Sequence, residues 1–327
     1  MLANEFETLP EICLAPRRLG HVNLFVDDVD TSLEFYRIVC GFDEVFAESE
    51  ILAVFLGNGN THHDLALMGV TSRARVGRDG HVQVAADRGR AAGLNHLGFE
   101  MPSERDLVEA IERARERGFA FHRVVDHQIS HSVYMFDPDG NYIEAYADVT
   151  PQWRRLFSEA AGQLITGTWR PDPSLASAMP QYEVEPEIVV SPAAILHPRR
   201  VSGATLVVQS LSASRAFYES VIGLRVLDEV DGAIVMGGSL GHRDLVLVEQ
   251  RSGDTLGLHH FTVELLDDTE YAATAARLNE AGVGVQLTID NSTKSSFVLV
   301  DPDGLRVEFV NHQPGSGPRG ADRHWVG

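Results

Sequence analysis

The sequence predicts an α+β protein made of four βαβββ modules paired into two domains. Two long repeats and one turn motif carry this expectation. The stretch RRLGHVNLFVDDVDTSLEFYRIVCGF, from Arg17, aligns without a gap on RRVSGATLVVQSLSASRAFYESVIGL, from Arg199. GLNHLGFEM from Gly93 aligns on GLHHFTVEL from Gly257, and VYMFDPDGNYIEAY from Val133 on FVLVDPDGLRVEFV from Phe297. Self-similarity on this scale marks a tandem duplication, here with a shorter central segment in the second copy. A fainter repeat lies inside each half. LGHVNLFV from Leu19 resembles LNHLGFEM from Leu94, which puts His21 and His96 at the same place in two successive modules.

Each module opens on an alternating apolar stretch that reads as a strand. A helix follows. In the first module Thr31-x-x-Glu34 reads as a capping box ahead of Leu33, Phe35, Tyr36 and Val39. In the second, Ser103 precedes a helix carrying Leu107, Ile111 and Ala114, and Gly118 is placed to end it. Short strands complete each unit. DPDG at Asp137–Gly140 and Asp301–Gly304 reads as a tight turn between antiparallel strands, with Pro presetting φ and Gly supplying a positive φ. The expected organisation is an arm (1–16), a metal-binding module pair (17–148), a Pro-rich linker with a short helix at 153–161 (149–198), a second pair with a degenerate site (199–313) and a tail (314–327). The stretch from Thr71 to Ala92 reads as an insertion.

Composition narrows the function. The chain has 327 residues, 44% hydrophobic and 23% charged, as a globular protein has. A formal net charge of −20 argues against nucleic acid as a partner, because phosphate binding needs clustered Lys and Arg. The arginines of the 71–92 stretch are interleaved with Asp79 and Asp87 and form no basic patch in the sequence. The two cysteines, Cys13 and Cys40, predict neither a disulfide framework nor a Cys-x-x-Cys metal motif. No basic start with an apolar core opens the chain, and no apolar run reaches membrane-spanning length. A cytoplasmic protein without a membrane partner is expected. Self-association is expected as well, since sheets of this kind leave edges.

Strand alternation puts His21, Asn23 and Phe25 on one face, His96, Gly98 and Glu100 on one face, and Tyr142, Glu144 and Tyr146 on one face. A polar side chain in a strand core is costly unless paired or ligated. A lone strand histidine is more often a satisfied structural residue. Two His and one Glu at repeat-equivalent strand centres point instead to a metal held by His21, His96 and Glu144. Two His and one carboxylate on one side of a metal leave three positions open, the arrangement used for non-haem Fe(II) oxygen chemistry, and Mn(II) accepts the same set. The second half is a natural control. Gly203 stands where His21 would be, while His260 and Glu308 remain, so no catalytic metal is expected there.

These residues resemble the vicinal oxygen chelate superfamily, and within it the extradiol ring-cleavage dioxygenases, over both halves (roughly 17–148 and 199–312). DHQISHSVYMFDPDGNYIEAY is similar to the catechol 2,3-dioxygenase-like branch, and His62-His63-Asp64-Leu65-Ala66-Leu67 resembles the strand that carries its distal acid–base histidine. The resemblance implies paired glyoxalase/extradiol-dioxygenase-like domains, Fe(II), a small aromatic diol and O₂. It also implies catalytic roles for His63, as the acid–base group beside O₂, and for His127 and Tyr134, as hydrogen-bonding groups beside the substrate oxygen. His131 rivals His127 for that role, and His62 rivals His63 less strongly, because His242 matches His62 in the second half. Arg243 and Val298 align with His63 and Tyr134, an asymmetry that tracks the missing counterpart of His21. His81 and His122 read as surface residues. The alternatives are a metal-dependent glyoxalase-like isomerase or lyase, and a non-catalytic small-molecule-binding protein of the same fold.

Overall fold

The computed structural model describes residues 11–78, 80–160, 164, 166–266, 271–290 and 294–312. The first ten residues of the arm, Ala161 of the expected helix and the tail from residue 313 lie outside them.

The first lobe begins with β1 (Arg18–Val26), α1 (Val29–Glu34), β2 (Asp43–Glu48), β3 (Ala53–Gly57) and β4 (Leu65–Gly69). A two-stranded hairpin follows, β5 (Arg75–Val76) and β6 (Val82–Val84), within the 71–92 stretch. The second module is β7 (Gly93–Glu100), α2 (Glu104–Glu116), β8 (Arg123–Asp126), β9 (Ser130–Phe136) and β10 (Tyr142–Asp148). The connecting segment holds α3 (Trp153–Ala160) and β11 (Gly167–Thr168). The second lobe repeats the plan with β12 (Pro198–Val208), α4 (Leu211–Phe217), β13 (Arg225–Val230), β14 (Ala233–Gly237), β15 (Leu245–Glu249), β16 (Gly257–Leu265), α5 (Tyr271–Glu280), β17 (Val285–Asp290), β18 (Lys294–Val300) and β19 (Arg306–His312).

Each pair of modules forms one mixed sheet. The strand order is β11-β8-β9-β10-β7-β1-β4-β3-β2 in the first lobe and β13-β14-β15-β12-β16-β19-β18-β17 in the second. In every module the first strand lies parallel to the last, and the two modules of a lobe join antiparallel through their first strands. These are the two glyoxalase-like α+β domains that the repeats predicted. β1 is buried along its whole length, as a central strand covered on both faces must be. Val22, Leu24 and Val26 join the main core with Leu107, Val108 and Ile111 of α2. The alternate residues face the other way, into the hollow of the sheet.

The caps differ in one place from expectation. Thr31 does not cap the first helix. Asp28 does, its Oδ1 accepting from the Thr31 N–H at 2.8 Å, so the acidic run before the helix supplies the cap and its charge faces the helix N-terminus. The helix then widens into a π-helical turn over Phe35–Val39. Ser103 caps α2 by accepting from the Asp106 N–H, and Gly118 takes a positive φ of 74° just past its end. The DPDG turn joins antiparallel β9 and β10.

The lobes meet through reciprocal contacts that follow the duplication. The Tyr36 hydroxyl donates to Asp301 Oδ2, and the Tyr218 hydroxyl to Asp137 Oδ2, both at 2.9 Å. Each DPDG turn therefore anchors a helix of the other lobe. Asp244 Oδ1 also accepts from the Leu19 N–H at 2.9 Å, at the start of β1. Hydrogen bonds to a buried carboxylate are worth about 1.5–3 kcal/mol. Tyr218→Phe is expected to lower stability by about that amount, read as a lower urea midpoint at unchanged slope; an unchanged midpoint would show that the pair carries no net stability.

The segment 149–198 makes contacts along the first lobe. β11 pairs with β8, Val189 N–H donates to Asn58 O at 2.6 Å, and the Trp169 ring stacks on His131. Cys13 and Cys40 are free thiols. No helix among the described residues is long and apolar enough to cross a membrane.

Candidate functional site

A single row across the first sheet builds the site. Arg123 of β8 faces Tyr134 of β9, Tyr134 faces Glu144 of β10, Glu144 faces Gly98 of β7, and Gly98 faces His21 of β1. His96 reaches in from the same strand as Gly98. Gly98 is what lets the row close. A Cβ there would lie 2.1 Å from His21 Nε2, so only glycine leaves room for the imidazole to cross β7 toward Glu144. Gly98→Ala is expected to displace His21 and to reduce bound metal after desalting by at least about tenfold, with the far-UV dichroism retained; full metal content would show that the ring can move at no cost.

The three expected ligands converge. His21 Nε2 lies 2.8 Å from Glu144 Oε2, His96 Nε2 lies 3.0 Å from the same oxygen, and the two ring nitrogens are 3.3 Å apart. Neighbouring ligands of an octahedral ion with bonds of about 2.1 Å stand about 3.0 Å apart, so these atoms occupy one face of such an octahedron. All three residues are buried. His96 Nδ1 donates to Asn95 Oδ1 at 3.2 Å, which holds the ring with Nε2 on the side of the carboxylate oxygen. Two ring nitrogens and a carboxylate oxygen this close together form a donor set able to hold a cation. Burial lowers the His21 imidazolium to about 4 in spite of Glu144, so the ring is a neutral ligand at pH 7. Burial pushes the Glu144 carboxyl up, but the close approach of the His21 and His96 ring nitrogens more than reverses this and holds it well below its ordinary range, so it is a carboxylate. The donor set therefore fits a divalent ion.

The flanking groups fall on the open side. The Tyr134 hydroxyl donates to Glu144 Oε1 at 2.7 Å and accepts from His127 Nε2 at 3.0 Å. Burial, and then the Glu144 charge, push the Tyr134 hydroxyl well above its ordinary value, so it remains a donor. Burial lowers the half-buried His127 to about 4. His63 stacks 4.2 Å from the His21 ring and edge-on to Phe55, and its Nε2 is buried without a hydrogen-bond partner among the described residues. Burial, then the adjacent His21 and His62, hold its imidazolium well below the ordinary value.

Two rivals are separated by geometry. His131 points away, donating toward Glu104 at 2.8 Å and stacking on Trp169, so His127 is the histidine beside Tyr134. His62 could join His21 and His63 in a second ligand group, but its Nδ1 is held 3.0 Å from Asp148 Oδ1. Burial disfavours its charge and Asp148 more than offsets that, raising its pKa. His81 and His122 are exposed.

His96, Glu144, Tyr134, His127, His62 and His63 line a cavity in the first lobe of about 1000 Å³, open solvent at its mouth included. Residues from β2 to β4 and from β8 to β10 line it together, so the sheet closes around it. Three features escaped the sequence reading. Asn23 donates to His96 Nε2 at 3.0 Å; alternation put it on the right face, but nothing in its identity gave it a role. Arg123 is the cross-strand neighbour of Tyr134, a position that follows only from register. Arg88 enters from the 71–92 stretch, which has no counterpart in the second half to compare it with.

The second lobe replaces the site with an ion pair. Lys294 Nζ lies 2.7 Å from Glu308 Oε1, and His260 Nε2 is 3.8 Å from Glu308 Oε2. Burial pushes the Glu308 carboxyl up, and the Lys294 ammonium more than reverses it. At Gly203 a Cβ would lie 2.6 Å from the Arg243 carbonyl, so a histidine has no room there without a backbone shift.

The sequence profile of the Glyoxalase/Bleomycin resistance protein/Dioxygenase superfamily matches residues 18–145 and 200–309. The chain belongs to this superfamily. Within the superfamily it is similar to the catechol-2,3-dioxygenase of Bacillus subtilis (strain 168), at 26% identity over 308 residues, covering 89% of this chain and 96% of that one. Its fold is that of the 2,3-dioxygenase LapB from Pseudomonas sp. KL28 (TM-score 0.64, 17% identity, 94% and 98% coverage). It is equally that of the Mn(II)-bound glyoxalase from Novosphingobium aromaticivorans (TM-score 0.63, 16% identity, 94% and 89% coverage). The superfamily's fold thus serves more than one reaction, and the side chains must distinguish them.

Proposed function

We propose that this chain is an extradiol ring-cleaving dioxygenase, acting on a catechol-type aromatic with O₂ at a non-haem Fe(II) centre, with Mn(II) as the alternative ion. The observation that carries the reading is the facial set of His21, His96 and Glu144, whose free side opens on the cavity beside Tyr134, His127 and His63. Similarity to the Bacillus subtilis catechol-2,3-dioxygenase over most of the chain supports it. Against a glyoxalase-like isomerase stands the absence, among the described residues, of a second carboxylate in the same ligand cluster.

His21, His96 and Glu144 would hold the ion, which when bound would supply Lewis acidity toward a diol and a redox centre for O₂. The protein does the rest. Tyr134 donates toward the diol oxygen that comes to lie next to Glu144, and fixes the ring's orientation. His127, neutral and hydrogen-bonded to Tyr134, helps the diol oxygen lose its proton. His63, against His21 and walled by Phe55, presents a neutral imidazole to the opposite part of the open face, where it takes up the diol's second proton and later returns it to the reacting oxygen. The cavity's apolar walls, Phe46, Phe55 and Phe157 among them, exclude bulk water. The edge strands β2 and β17 make a homo-oligomer part of this reading.

The test is direct. Protein purified anaerobically is loaded with Fe(II), given catechol and then air. A yellow ring-opened product with matching O₂ uptake is expected. Zn or Ni in the isolated protein, with no O₂ uptake after Fe(II) loading, would instead indicate the isomerase.

A further inference from the structure

We propose that the aromatic diol entering this cavity carries a negatively charged substituent, a carboxylate above all, seated between Arg123 and Arg88. The inference rests on the reading of the site given above and specifies its substrate class.

The position follows from the row that builds the centre. Adjacent strands lie about 4.8 Å apart, so Arg123 stands about 10 Å from Glu144, with Tyr134 between them. A ring held at the metal face by two adjacent oxygens points its remaining carbons outward along the cavity. A short acidic side arm on one of those carbons spans the rest of the distance.

The two guanidiniums are built into the wall and are not stray surface charges. Arg88 lies 4.0 Å over the Tyr142 ring and donates to Asn95 O at 2.9 Å. Tyr142 in turn stacks on Tyr134, 5.2 Å between centroids, so Arg88 is tied to the metal side of the cavity through two aromatic rings. The segment behind Arg88 is clamped. Arg75, 2% exposed, donates to the carbonyls of Gly69 and Gly89, and Gly89, at φ +65°, packs so close to Phe25 that a Cβ would lie 2.4 Å from the ring. Arg123 donates to Gln83 O at 2.6 Å, which fixes it against the same inserted hairpin.

Both arginines line the cavity, and among the described residues neither makes an ion pair. Two like charges on one partly apolar wall repel and lose hydration; burial lowers the Arg88 pKa, Tyr142 and Asp87 oppose it in part, and Arg123 adds to the lowering. Each guanidinium has five N–H donors and uses few of them on the protein. An anion between them meets the unused donors and cancels the repulsion, which is the bidentate geometry that arginine suits best. Glu48 of β2 is the other carboxylate lining the cavity besides Glu144 among the described residues.

Anaerobic calorimetry tests the seat by binding alone. With the Fe(II)-loaded full chain, 3- and 4-carboxymethylcatechol are compared with the uncharged 3- and 4-ethylcatechols. With the metal-free chain, phenylacetate is compared with phenylacetamide. At least one carboxymethylcatechol is expected to bind more than about tenfold tighter than its ethyl partner. Arg123→Gln and Arg88→Gln are each expected to bring that ratio toward one. The same preference for phenylacetate in metal-free protein, with no catechol cleaved, would uphold the anion seat while removing the dioxygenase reading. Carboxylates bound no tighter than their neutral partners in both forms, or a preference that survives both arginine variants, overturns the proposal whatever the cleavage assay shows.

Discussion

Glu144→Gln is expected to strip the protein of its metal and, with it, of ring cleavage. The glutamate is the point at which the other two ligands meet, since both His21 Nε2 and His96 Nε2 lie within 3.0 Å of its Oε2. An amide keeps the shape of the carboxyl but brings no negative charge to a divalent ion, and it turns either a weak acceptor or a donor toward two imidazoles. Loss of a mere outer partner costs about 10–100-fold in metal affinity, so loss of an inner ligand should exceed the upper end of that range. The measurement is Fe(II) content after desalting, alongside circular dichroism. The fold should survive, because Glu144 sits in the middle of a strand paired on both sides and the amide remains able to hydrogen-bond Tyr134. Metal retained at full stoichiometry by Glu144→Gln would place the ion elsewhere and end the proposal for this lobe. The corresponding Glu308→Gln in the second lobe should leave metal content untouched, since Lys294 already supplies the cation there.

The second large effect separates chemistry from assembly. His63→Phe is expected to keep metal and diol binding and to lose about 10²–10⁴ in turnover. The reason is the contrast between His63 and its neighbours. His62 is fixed by Asp148 and His21 by Glu144, whereas His63 Nε2 is buried with no partner among the described residues. An unsatisfied buried donor or acceptor costs about 1–3 kcal/mol, and a cost of that kind is maintained where a bound reactant supplies the missing partner. Phenylalanine fills the same slot against Phe55 and the His21 ring, so structure and metal content should not change. A variant with undiminished turnover would remove His63 from the mechanism. One that loses its metal would make it a ligand instead, in keeping with its place in the His21–His62–His63 group.

The fold was legible because it repeats. The DPDG turn, the two alternating strands carrying His21 and His96, and the helices behind Asp28 and Ser103 are local signals, set by pleat periodicity and capping chemistry over a few residues. Even the local reading failed where two caps competed. Thr31 and Asp28 both offer an oxygen, and Asp28 prevails because its carboxylate reaches a free N–H and faces the positive end of the helix. That His21, His96 and Glu144 share one face was legible for the same reason as the fold. Each is a strand residue at a place the repeat duplicates, so its face followed from parity alone.

What decided the rest is register and chain path, neither of which is written in any one segment. Arg123 comes beside Tyr134 only because β8 pairs with β9 at one offset, and a slip by a single residue would turn it to the other face. Arg88 reaches the cavity because Arg75 and Gly89 fold an inserted hairpin back onto Phe25. The choice of His127 over His131 needed Trp169, almost forty residues away, to occupy the latter. In the second lobe the sequence disclosed a missing histidine but not the ammonium of Lys294 beside Glu308. By itself the sequence determined the duplicated modules and the three side chains that share a face, because these depend on short-range periodicity. Only the tertiary structure decided which groups surround that face, because long-range strand pairing brings together charges and rings that the chain keeps far apart.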